Sequence, residues 1–160
     1  MSWSDRRAFL TLLAGLPACT FTPAYAPGGP ADGLQGAIRI AAPTDKNSFD
    51  LVERLEDRLG RPQAPRFDLG FKIETQSTGV GYTTGIAITR YHLTGKVDWV
   101  LTDDHGTTVA QGTAQSFTAW SATGSTVASL AAEEDAARRL MLILADQIVT
   151  RLIAMAGSFQ

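Results

Sequence analysis

The chain has 160 residues, is 44% hydrophobic and 19% charged, and carries a formal net charge of −2. That length accommodates one domain around a single core, and a weakly acidic balance gives no electrostatic footprint for nucleic acid. Its 14 cations are almost all arginine, with lysine only at Lys46, Lys72 and Lys96.

The amino terminus reads as an export signal. Arg6 and Arg7 precede the apolar run Ala8 to Gly15, which is too short to span a bilayer as a helix, and Leu16-Pro17-Ala18-Cys19 follows. Asp5-Arg6-Arg7-Ala8-Phe9-Leu10 is close to a twin-arginine motif, and an ordinary basic start to a Sec signal is the alternative. Residues 1–18 are therefore expected to be removed. Cys19, the only cysteine, would then become the mature amino terminus. An unpaired cysteine in an exported chain calls for an explanation, and lipidation supplies one by consuming the thiol. The segment resembles the lipobox of bacterial lipoproteins, with Pro17 where a small residue is usual. A buried free cysteine after an ordinary signal is the alternative reading.

Tyr25 to Gly33 is rich in Pro and Gly without periodicity, so residues 19–35 are expected to form a flexible tether. The domain proper is expected over 36–157. Ile38 and Ile40 mark a short strand, and Phe49, Val52, Leu55 and Leu59 give a helix from Lys46 to Leu59, capped by Thr44 or Asp45 and ended by Gly60. From Arg66 to Gln76, Phe67, Leu69, Phe71, Ile73 and Thr75 alternate with polar residues, which predicts a strand with one buried face. Residues 77–85 read as a Gly-rich mobile loop without a phosphate-binding pattern. A strand over about Ile86 to Leu101 buries Leu93, Val97, Trp99 and Leu101, with a bulge expected near Thr89. Asp103-Asp104-His105-Gly106 is turn chemistry, and the returning strand, about Thr107 to Trp120, has small residues that would either admit a helix closely or mark it as poorly buried. A long helix over about Val127 to Ala154 carries the stripe Leu130, Ala137, Leu140, Met141, Leu144, Ile148, Leu152 and Met155. Glu133, Glu134 and Asp135 are placed near its amino end, where the helix dipole favours them.

The order β-α-β-β-β-α predicts an α+β two-layer sandwich, with two helices on one face of an about four-stranded mixed sheet. No segment after the signal reads as apolar for long enough to cross a membrane, so attachment is expected through Cys19 alone. Neither His92 nor His105 suggests a metal site, the single Cys is committed to the anchor, no Ser sits in a nucleophile-elbow pattern, and the chain reads as no enzyme, with no cofactor.

Cys19-Thr20-Phe21-Thr22-Pro23-Ala24-Tyr25 is similar to the Cys-Gly-Phe-x-Pro-x-Tyr start of the LptE family of lipopolysaccharide-assembly lipoproteins, with Thr20 in place of glycine. The terminal helix, Glu133 to Leu140 and on through Gln147-Ile148 and Arg151-Leu152, also resembles that family's last helix. The resemblance implies a protein lipid-anchored in the cell outer membrane, its domain in the periplasm or the barrel lumen. It would plug an LptD β-barrel and assist lipopolysaccharide transport to the outer leaflet. Lys72, Arg90 and Lys96 share the wet parity of neighbouring strands and are the candidate lipopolysaccharide contacts. An auxiliary lipoprotein of an ABC-type lipid transport system is the alternative, and a free periplasmic binding module a third.

Overall fold

A computed structural model describes residues 23–82, 88–122 and 125–159. Its elements are β1 (Ile38–Ile40), α1 (Lys46–Leu59), β2 (Phe67–Tyr82), β3 (Ile88–Asp103), β4 (Thr108–Ser121) and α2 (Thr126–Met155), closed by a short 3-10 turn, Ala156–Ser158. The four strands form one sheet in the order β1-β2-β3-β4. β1 runs parallel to β2, and the other two pairings are antiparallel. The predicted α+β architecture, mixed sheet and element order are those of the molecule.

α1 begins at Asp45. Its carboxylate accepts from the Ser48 amide at 2.7 Å, while the Ser48 hydroxyl accepts from the Asp45 amide at 2.8 Å, so two helix-end donors are satisfied reciprocally. That box draws Ser48 inward to join Leu51, Val52, Leu55 and Leu59 on the buried face. Phe49, expected in the stripe, lies about 100° further round the helix and is 54% exposed.

α2 buries Ala136, Leu140, Met141, Leu144, Ala145, Ile148, Val149 and Leu152. Leu130 is 55% exposed, because the first turns of the helix run ahead of its buried stripe. The helix begins at Thr126, which leaves Glu133, Glu134 and Asp135 about two turns in, beyond the reach of the terminal dipole. Contrary to the sequence reading, Thr126–Ser158 is long and apolar enough to cross a membrane. Part of its apolar character serves the core, where Leu140, Leu144, Ile148 and Leu152 are fully buried.

The β3–β4 turn is held by Asp103, whose carboxylate accepts from the His105 and Thr107 amides at 2.9 and 2.8 Å, with Gly106 at φ 78°. Small residues on β4 do admit bulk: a side chain on Gly112 would meet the Trp99 ring at 2.8 Å, and Ala110 and Ala114 are buried.

Two stretches differ from their expected form. Ser77–Tyr82, read as a loop, continues β2, with register shifts around Gly79 and Gly81 opposite Arg90 and Ile88. Val80 is the extra residue on β2 between Gly79 and Gly81, and Thr89 is the extra residue on β3 between Ile88 and Arg90, so the bulge expected near Thr89 is present and a second one faces it on the partner strand. The expected tether, 19–35, is in its described part a strap of turns packed on the domain. Ala31 and Leu34 are fully buried, and the Gly29, Ala31 and Leu34 amides donate to the Ala26, Ala24 and Ala31 carbonyls. Periodicity gave no sign of this because the strap is neither helix nor strand.

Candidate functional site

The helices cover one face of the sheet and leave the other open. Along β2, β3 and β4 the open face carries Lys72, Glu74 and Gln76, then Lys96 and Asp98, then Thr113, Gln115 and Phe117, since alternate residues of a strand share a face. A depression of about 750 Å³ crosses its middle, with Glu74, Thr94, Lys96, Gln115 and Phe117 in its walls. The floor is polar except for Phe117, which is 63% exposed and has the His92 ring 5.7 Å away.

Of the three cations expected to form one patch, the fold brings two together. Lys72 stands opposite Asp98, and Glu74 opposite Lys96. Within strands, Lys72 Nζ donates to Glu74 at 2.8 Å and Lys96 Nζ to Asp98 at 2.6 Å. Thr113 Oγ1 adds a hydrogen bond to Asp98 at 2.6 Å. The result is a four-membered lattice of alternating sign with no net charge. Arg90 lies six residues along β3 from Lys96, roughly 20 Å away, paired in register with Gly81 and Ser121.

Titration follows from this pairing. The hydrogen bond from Lys72 holds the Glu74 carboxyl below its ordinary range, and the bonds from Lys96 and Thr113 do the same for Asp98. Their acid partners in turn raise Lys72 and Lys96. All four groups are charged near neutrality, so the lattice has no poised acid or base to offer a reaction.

Sequence reasoning missed Glu74 and Asp98 as partners. Strand parity located them on the face, and cross-strand register, which no turn between β2 and β3 revealed, set them against the lysines. Among the described residues no cluster of three His, Cys, Asp or Glu side chains could hold a metal ion. Cys19 lies outside the described residues.

Residues 36–152, from the approach to β1 to the end of the buried stripe of α2, match the family model described as LptE, lipopolysaccharide-assembly. This chain belongs to the LptE family. Solved structures share the LptE-family fold seen here. A lipoprotein from Caulobacter crescentus superposes with a TM-score of 0.67 at 22% identity, covering 81% of this chain and 97% of that one. The rare lipoprotein B of Shewanella oneidensis gives 0.58 at 10% identity, over 74% and 93%. Lipoprotein B of Nitrosomonas europaea gives 0.56 at 17%, over 75% and 84%. No curated protein sequence matches the chain.

Proposed function

We propose that this LptE-family chain is an exported lipoprotein, acylated at Cys19, that works without catalysis at the outer membrane as plug and partner of an LptD-like β-barrel in lipopolysaccharide transport. The family match over 36–152 carries this reading. The sequence around Cys19 supports the anchor, because two acyl chains, each contributing ~0.8 kcal/mol per buried CH₂, give stable attachment. Thr20, rather than an acidic residue, accords with onward sorting to the outer membrane.

The open sheet face is the surface offered to lipopolysaccharide. Lys72 and Lys96 would meet its phosphates by exchanging their carboxylate partners, and Arg90 would act as a separate contact. Each exchange trades one charge-assisted hydrogen bond for another, and the half-exposed carboxylates left behind return to water.

The test is a pull-down of the full chain from solubilised outer membranes, with mass spectrometry of its mature amino terminus. Recovery of a very large barrel and a lipid-modified Cys19 is the expected result. An inner-membrane permease complex would transfer the chain to the ABC-type alternative, and an unmodified Cys19 would remove the anchor. For the sheet face, Arg90→Ala with Lys96→Ala should weaken lipopolysaccharide binding in a folded chain that still recovers the barrel. Unchanged binding would leave that face a solvated surface.

A further inference from the structure

β4 is an edge strand of fourteen residues, with β3 on one side and, among the described residues, no strand on the other. Long edges usually protect themselves with charges or proline, because their unpaired amides and carbonyls are a template for another strand. β4 contains neither a charged residue nor a proline.

Protection comes instead from α2. Arg139 Nη2 donates to the Ala119 carbonyl at 3.5 Å, Gln147 Nε2 to the Gln115 carbonyl at 3.1 Å, and Arg151 Nη1 to the Thr113 carbonyl. The three acceptors are alternate-parity residues, whose backbone groups point away from β3. The Ala122 amide, of the opposite parity, donates inward to Thr89. The donors fall on one row of the helix at intervals of four, Arg139, Ile143, Gln147 and Arg151. Four helical residues rise about 6 Å and two strand residues about 6.8 Å, so a helix running against the strand keeps step with alternate carbonyls over this distance. Asp135 holds Arg139 in place through a 2.8 Å ion pair. Ile143, whose side chain has no donor, is the intermediate residue of that row.

We propose that Arg139, Gln147 and Arg151 form an edge guard that occupies three outward carbonyls of β4, at Ala119, Gln115 and Thr113, and prevents its pairing with β4 of a second copy. The partner excluded is the identical chain, because an uncharged edge is complementary to its own antiparallel copy about a two-fold axis.

Sedimentation velocity on the full chain tests this. Relative to the unmodified chain, Arg139→Ala, Gln147→Ala and Arg151→Ala combined should promote a concentration-dependent dimer, the dissociation constant falling by on the order of fivefold per guard removed. Adding Phe117→Lys, which puts like charges at the middle of the paired edges, should return the triple variant to monomer. A folded triple variant that stays monomeric to its solubility limit, or a dimer indifferent to Phe117→Lys, overturns the proposal. Should the triple variant fail to fold by circular dichroism, Gln147→Ala and Arg151→Ala are measured separately. Folded single variants showing no gain in association overturn it equally.

Discussion

At single residues, the sharpest expectations attach to groups that have one job. Asp45 caps α1, so Asp45→Ala should cost about 1 kcal/mol, read as a lower melting temperature, whereas truncating the exposed Glu53 should cost little. A methyl group at Gly112 must displace the buried Trp99 ring, and Gly112→Ala should cost roughly 1 to 3 kcal/mol. An unchanged melting temperature would show that β4 shifts freely there. The charge lattice has a pH signature with a definite sign. Glu74 and Asp98 have lowered pKa values when folded, so their contribution is present above the ordinary carboxylate range of about 4 and is lost as pH falls through the lowered values. Lys72 and Lys96 are raised, so theirs is present below about 10.4 and is lost as pH rises through the raised values. Melting temperature should therefore be level from about pH 5 to 9 as far as this lattice goes. Glu74→Gln with Asp98→Asn should flatten part of the acid limb, most visibly at low salt.

Secondary-structure elements separate what sequence period can show from what it cannot. α2 should respond unequally along its length: Leu140→Ala, within the core, should cost about 2 to 5 kcal/mol, and Leu130→Ala, in the exposed first turns, within about 0.5 kcal/mol of nothing. Equal effects would mean that the buried stripe begins earlier than Ala136. Alternation placed Leu93, Val97, Trp99 and Leu101 on the buried face correctly, because a period of two admits only two assignments. It failed at Ser77–Tyr82, where Gly and Ser have weak strand preference and pairing with β3 decides the outcome. Helical spacing failed in its turn at Phe49, where local capping outweighed hydrophobicity in choosing which side chain turned inward.

Across the whole molecule, element order was enough to reach a mixed four-stranded sheet under two helices, since short connections leave few other arrangements. The candidate site was legible only by face: its cations were found, and the acids that neutralise two of them required knowledge of register. The strap was the larger omission, and it sets a distance. Phe67, which opens β2, packs edge-on against Phe159 at 5.4 Å, and Arg66 just before it donates to the Gly33 carbonyl, so the strap and the carboxyl-terminal end of the described chain both meet the start of β2. Pro23 follows Cys19 by only four positions, a reach of at most about 14 Å. β2 then runs sixteen residues away from that start, roughly 54 Å. With lipid on Cys19, the domain becomes a short-leashed rod. Its base would then stay beside the bilayer surface, and the opposite end of β2 would stand as much as about 54 Å from that base.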